Sequence, residues 1–518
     1  MKVDIVTRKN VIPHPYDVLV YEKDGNYYAR DREGKIICEN SQTSCIKEAI
    51  YYVRSKAVNF GEGGIVKIGK GSYRINEPIT FPYGSLFITI KGSKGTVLVP
   101  HGNISVFNFR VDQDGEAIRY VDIENLYVAG DVNNKTATVF NFDVYDGDGI
   151  LRYIALINVR NVVVHGVKRF MYAKNLWMAK FTDVEIQYSG VDVPLIFLDR
   201  SAVNTTHDIY FTRAYIEDIR GSQAILYARQ PTFNVTFTNS YIESYRNVPY
   251  LLYFENWSGG NIISDCLLDG ASAYAIRVGT GNIIKNNKIT NSQGGINIGW
   301  HFNIVTGNII AVDDIGVRGS GGHSLVVANN YITNSNVGIY FDWGSYYSVI
   351  ANNVIRDVRL RGIFVYHSEH VKIVNNQIHI EGTVAQDAIR IRDPGYNIVM
   401  GNTVRGSLTN SIVEENSDYN TIVNNIVEMP MIIVGPNTVV RNNRGFATER
   451  SGVATIPAGS TSTTVNHGLV CIPSKVLITP LGQLTGQIWV EDRTSTSFTI
   501  RMSNPSPANL NVAWYAEC

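Results

Sequence analysis

Between Asp313 and Asp393 the sequence gathers the residue types that carbohydrate chemistry uses. Glycoside hydrolysis needs two carboxylates about 5–10 Å apart, one as acid and one as base or nucleophile. Asp314, Asp342 and Glu369 are the candidates. Cleavage by elimination instead needs a cation to neutralise a uronate and a base to take a proton, and Arg390 or Arg392 with Tyr366 or His367 fits those roles. Sugar rings stack on aromatic faces, and their hydroxyls need polar partners. Tyr253, Tyr340, Trp343 and Tyr366, with Arg318, His323, His367 and Arg392, are therefore the expected substrate-binding residues. Asp314, Asp342, Glu369 and Arg390 are the expected catalytic ones, and no metal ligand set is expected.

What would position these side chains is a repeat. A line of small–apolar–x–apolar recurs from Ala275-Ile276-Arg277-Val278 to Ser411-Ile412 at intervals of 20 to 26 residues. Between its copies lies a second line with one asparagine in each: Asn287, Asn308, Asn330, Asn353, Asn376, Asn402, Asn425 and Asn443. Two segments of period two per repeat, each too short for a helix, are strands. The spacing therefore predicts an all-β solenoid of about a dozen parallel coils, each stacking its Ile, Val or Leu on the coil below at about 4.8 Å. The asparagines sit where the coil turns tightly. There they tolerate left-handed backbone and can bond the asparagine of the next coil, which makes them structural.

Residues flanking each buried Ile point outward and form columns. One column is expected to run Phe197, Leu226, Tyr253, Arg277, Asn297, Arg318, Tyr340, Phe364, Arg390. The other, two residues on, runs Asp199, Ala228, Glu255, Gly279, Gly299, Ser320, Asp342, Tyr366, Arg392, Glu415. This face of aromatics, carboxylates and arginines suits a long glycan; the alternative is a face covered by loops or by neighbouring subunits.

At the N-terminal end, Tyr16 to Ile37 is expected to form a hairpin turning at Asp24-Gly25. An amphipathic helix follows, with Ser41 or Thr43 as N-cap and Ile46, Ala49, Ile50 and Val53 on its apolar face, and it would plug the open end of the solenoid. GEGGIVKIGKGSYRINEPITFP from Gly61 and VDIENLYVAGD from Val121 resemble coils of the pectate-lyase-like β-helix superfamily. The resemblance covers roughly Ser41 to Phe446 and implies a right-handed parallel β-helix. It says little of activity, because that superfamily holds lyases, hydrolases, epimerases and non-catalytic spikes.

After Phe446 the composition turns to Ser and Thr, with strand-like stretches at 453–465, 475–479, 487–503 and 510–515. They predict a small antiparallel sandwich. This stretch resembles the C-terminal β-modules of phage tailspikes and tail fibres, which implies trimer assembly or attachment. His467 reads as a turn residue. The expected domains are thus 1–60, the hairpin and capping helix; 61–446, the β-helix; and 447–518, the sandwich.

Lys+Arg and Asp+Glu both number 46, so no basic field points to nucleic acid. No apolar run is long enough to span a membrane, and no secretory leader is visible. Cys38 with Cys45 and Cys471 with Cys518 are candidate disulfides, leaving Cys266 as a buried thiol. No zinc spacing or phosphate loop is present, so no cofactor is expected; calcium is left open, without a specific site. Asn103, Asn134, Asn204, Asn234 and Asn256 lie in Asn-x-Ser/Thr sequons, which matter only where glycosylation operates.

VDDIGVRGSGGHSL is similar to the Asp-Asp and Gly-His-Gly motifs of polygalacturonases, yet it packs them within one coil. Arg392 also stands where that family has lysine, and no Asn-Thr-Asp is found. The match is read as chance. Two functions remain: a polysaccharide hydrolase or lyase working along 313–393, or a non-catalytic trimeric spike that binds glycans. Either would act outside the cell or on a virion surface.

Overall fold

The fold was obtained as a computed structural model that describes residues 16–57, 63–84, 87–112, 115, 117–199 and 205–518. Gly61, Asn204 and the N-terminal stretch inspected for a leader lie outside these residues. Two compact units divide the chain, Met1–Asp313 and Asp314–Cys518. In both, short strands pair in parallel with strands one coil away. The coils number about 15, a few more than the intervals in the Asn-rich half suggest. The added ones lie in the first unit, where strands such as Ile154–His165 and Leu176–Gln187 are longer and the two lines are not separately legible.

In the second unit the apolar column is Val317, Ile339, Ile363, Ile389 and Ile412, paired in register and fully buried. The small residue that precedes each is set by backbone approach. A Cβ on Gly338 would meet the Gly362 carbonyl oxygen at 2.6 Å, and one on Gly362 would meet that of Ala388 at 2.6 Å.

Asparagine work is divided between neighbours. The first of each pair, such as Asn352 (φ 54°) or Asn375 (φ 55°), takes the left-handed corner. The second builds the ladder: both the backbone N–H and Nδ2 of Asn376 donate to Asn402 Oδ1 (2.9 and 3.0 Å), and Asn353, Asn402 and Asn425 repeat the pattern. The first unit has a second such ladder through Asn261, Asn282 and Asn303.

In the first unit the hairpin pairs Val18–Lys23 with Asn26–Asp31, and Asp24 and Gly25 both take positive φ, as its turn requires. The helix spans Ile46–Lys56 and buries Ile46, Ala49, Ile50 and Val53. Its N-cap corrects the expectation. Cys45, held by the disulfide to Cys38, occupies that position in left-handed conformation with no side-chain cap. Ser41 and Thr43 serve from upstream: Ser41 Oγ accepts from Cys45 N (2.9 Å), and both hydroxyls donate to Glu48 (2.8 and 2.9 Å).

The C-terminal stretch forms two three-stranded antiparallel sheets. Stretches 453–465 and 487–503 each break at a turn, giving Glu449–Ile456 with Ser462–Asn466 and Ile488–Glu491 with Ser497–Met502. Ile456, Phe498, Ile500, Val512 and Trp514 form the core, and a disulfide joins Cys471 to Cys518. His467 is buried and structural: Leu469 N–H donates to its Nδ1 (3.0 Å), which leaves Nε2–H to donate to the Thr494 carbonyl (3.1 Å).

Candidate functional site

In the second unit the strands Ile315–Ser320, Val337–Asp342, Arg361–Tyr366 and the end of Gln377–Arg392 carry the outward columns. Arg318, Tyr340, Phe364 and Arg390 are in register, and Tyr366 lies beside Arg392 and then Glu415. Tyr340 and Phe364 stack at 5.0 Å and 5°. The guanidinium of Arg318 covers Tyr340 at 5.8 Å, and that of Arg361 covers Phe364 at 4.7 Å. Burial, and then the Asp342 charge, push the Tyr340 hydroxyl up. Burial and the neighbouring Arg390 charge pull Arg361 down.

Asp342 is only 2% exposed, and its Oδ2 accepts from Arg318 Nη2 (2.6 Å) and Nε (3.1 Å). Its Oδ1 is buried without a hydrogen-bond partner. Trp343 follows at φ 42° and turns its ring outward, 64% exposed. The ring lies 4.7 Å from His367 and meets Tyr366 nearly edge-on at 5.9 Å. The Arg392 guanidinium sits 5.3 Å from the centre of Tyr366. One cluster therefore unites Trp343, Tyr366, His367 and Arg392 beside the Arg318–Asp342 pair.

The expected carboxylate pair is not brought together. Ile315 pairs with Val337 and Ser320 with Asp342, so Asp314 lies at the strand start and Asp342 near its end. Six residues of strand separate the two levels, about 20 Å at ~3.3 Å per residue, beyond either glycosidase geometry. Asp314 is engaged by Asn336 Nδ2 (3.1 Å). Glu369 stands in a turn, where its carbonyl accepts from Tyr347 N (3.3 Å). Arg390 bonds Asp387 and Glu415, both at 2.8 Å. His323 packs on Tyr346 at 5.2 Å. Tyr253 belongs to the first unit, stacked with Tyr227 at 4.9 Å and covered by Arg277 at 4.8 Å.

The outward column of the first unit slips by one residue from the expected one. Register runs Phe197, Tyr227, Tyr253, Arg277, so Leu226 and Ala228, both fully buried, belong to the core. A slip of one position in a period-two strand exchanges faces, and the loose Ala224-Ile225 copy invited it. Arg229 accordingly stands beside Asp199 (3.0 Å).

Sequence reasoning missed three features. Asp387 is fully buried between Arg361, Arg390 and Asn410. Glu414, 1% exposed, accepts from Asn420, Thr438 and the backbone of Val434 and Gly435. Tyr347, His370, Tyr396 and Tyr419 form an exposed stack at 4.9, 5.5 and 5.2 Å. Each of these four precedes a ladder asparagine by six residues, a periodic signal present in the sequence. Among the described residues no group of three or more His, Cys, Asp or Glu is arranged to hold a metal ion.

The right-handed beta helix region family matches residues 251–385. The A-module of an Azotobacter vinelandii mannuronan C-5 epimerase is similar at 12% identity, covering 77% of this chain and 93% of that one, with a TM-score of 0.39. The tailspike of E. coli bacteriophage HK620, solved with a pentasaccharide, is similar at 11% identity, covering 94% and 92%, with a TM-score of 0.45. Tailspike protein 3 of bacteriophage CBA120 is similar at 13% identity over 73% of this chain and 58% of that one, with a TM-score of 0.42. No curated protein matches the chain. No residue role passes from these proteins to this one.

Proposed function

We propose that this chain, a right-handed parallel β-helix protein, binds polysaccharide at the Trp343–Tyr366–His367–Arg392 cluster of its second unit. The observation that carries the reading is Trp343, a ring 64% exposed beside cationic and hydroxyl groups that sugars use. Tyr340 and Phe364 are covered by each other and by Arg318 and Arg361, whereas Trp343 keeps most of its ring open. Replacing Trp343 by alanine is expected to weaken binding to the polysaccharide that the native chain selects from a glycan panel by about tenfold, the order of one aromatic–sugar contact, with an unchanged unfolding midpoint. Equal binding by the variant, or no binding of any panel glycan by the native chain, overturns the reading.

Cleavage is a second reading, and the Arg392–Tyr366 pair favours elimination over hydrolysis. Arg392 would neutralise a uronate carboxylate, and Tyr366 would carry the C5 proton to the departing O4, so that the C4–O4 bond breaks as the C4–C5 double bond forms. Its product is an unsaturated uronide with strong ultraviolet absorbance. Loss of turnover in Tyr366→Phe with binding retained supports it; unaltered turnover excludes Tyr366. Trimer assembly through the C-terminal sheets belongs with the binding reading. Val453 and Leu477, 60% and 52% exposed, offer it an apolar face, and solution mass tests it.

A further inference from the structure

On the first unit a stack of rings is interrupted. Tyr153 lies parallel to Trp177 at 4.3 Å and 3°, and Trp177 lies on His207 at 5.1 Å. Phe233 follows opposite His207 in register, and opposite Phe233 the next coil places Gly259. In a continuous stack each ring covers the face of the one before it. Here the ring that would cover Phe233 is absent, and Phe233 keeps 39% exposure while Trp257 keeps 57%.

The gap is a shallow groove of about 810 Å³, within the range of saccharide and other small-molecule sites. Gly259, Gly260 and Gly281 line it together with Phe233, Trp257 and Pro231. The floor must be glycine: a Cβ on Gly259 would fall 2.4 Å from the Thr280 carbonyl oxygen, and one on Gly260 2.4 Å from Asn234 Oδ1. Two groups at the rim are held in place, since Asp208 bonds both His207 Nδ1 (2.8 Å) and Asn234 Nδ2 (3.0 Å). Trp257 leans on Trp300 at 4.9 Å. Among the described residues that line the groove there is no lysine or arginine, in contrast to the arginine-rich face of the second unit.

We propose that this groove is a saccharide site in its own right, taking a segment of a neutral glycan. The apolar face of one pyranose lies on Phe233, Trp257 flanks the next, and ring hydroxyls meet His207, Asn234 and Thr280. Among the described residues a uronate would find no lysine or arginine here. The site stands or falls independently of the Trp343 cluster.

The test titrates the full chain with cello-, malto- and chitohexaose and with an oligouronate of equal length, reading tryptophan fluorescence. At least one neutral hexasaccharide is expected to bind. Phe233→Ala and Trp257→Ala are each expected to weaken that binding about tenfold, and Trp343→Ala leaves it unchanged. Phe233 and Trp257 both lie at the surface, so the variants are expected to stay folded, with a cooperative unfolding transition as the check. Failure of all three neutral sugars to bind, equal binding by both groove variants, or preference for the oligouronate overturns the proposal. Loss in Trp343→Ala alone assigns the signal to the other site and likewise overturns it.

Discussion

The outward face of the second unit and the groove of the first are built from the same material, rings stacked one coil apart, and differ in whether the stack is closed. Along Tyr340 and Phe364 each ring is covered by a ring or a guanidinium, and the carboxylates nearby are taken up by arginines. Such a face spends its chemistry on holding coils together. At Phe233 the column meets Gly259, and at Trp343 a ring tilts out of line, and each leaves aromatic surface open to a ligand. In a solenoid, function is therefore sought where periodicity fails.

The largest effect that sharpens this contrast is on ion pairs. Arg318→Met leaves the Asp342 carboxylate, 2% exposed, without its charge partner, and a loss of about 3–5 kcal/mol in unfolding free energy is expected. Arg229→Met breaks a pair with Asp199 at 3.0 Å, but that carboxylate is 17% exposed and keeps the Tyr172 hydroxyl as a donor, and the expected loss is below about 1 kcal/mol. Chemical denaturation of the two variants measures both. Equal losses would show that the second-unit face is no more closed than the first.

A smaller effect concerns burial of a single ring in the first unit. Tyr73 is fully buried, donates to the Gly69 carbonyl (3.0 Å), and its hydroxyl is pushed up to about 12 by burial, against about 10 in an unfolded chain. Below pH 10 both states keep the proton. Between about 10 and 12 the unfolded chain releases it and the folded chain does not, so this tyrosine's contribution declines across that window, by on the order of 2 kcal/mol. Tyr73→Phe costs about 1 kcal/mol at pH 8 for the lost hydrogen bond and flattens the alkaline decline relative to the native chain. Parallel declines in native and variant would remove Tyr73 as its source.

The sequence made the coils legible because stacking writes the same residue into every repeat; the Ile and Asn lines are consequences of contact between identical positions. The first unit was harder to read, because long strands such as Ile154–His165 merge the two lines into one, and the Ala224-Ile225 copy slipped by one. In the cluster, Tyr366 and Arg392 were legible from two-residue alternation, and Trp343 and His367 from their place in the dense stretch 313–393. The Asp314–Asp342 pairing failed because spacing along the chain gives the coil but not the level along the strand. The Phe233 groove was invisible, since a glycine facing a ring one coil's length of sequence away carries no local signal. The N-cap was misplaced because the Cys38–Cys45 disulfide, not a side-chain hydroxyl, holds Cys45 at the helix start.

The smallest effect tests whether a closed stack is structural. Tyr396 sits between His370 (5.5 Å) and Tyr419 (5.2 Å), both nearly parallel to it, at φ 62°. Its 51% exposure is therefore mainly ring edge, because both faces have neighbours. Tyr396→Ala removes two stacking contacts, each worth about 0.5 kcal/mol at the low end for exposed rings, and keeps a side chain in left-handed backbone. Tyr396→Gly removes the same contacts but relieves about 1 kcal/mol of backbone cost. Alanine is thus expected to destabilise by about 1 kcal/mol and glycine by close to nothing, with polysaccharide binding unchanged in both. If either variant lost glycan affinity as Trp343→Ala is expected to, exposed ring edges would count as ligand surface, and the distinction between closed and interrupted stacks would fail.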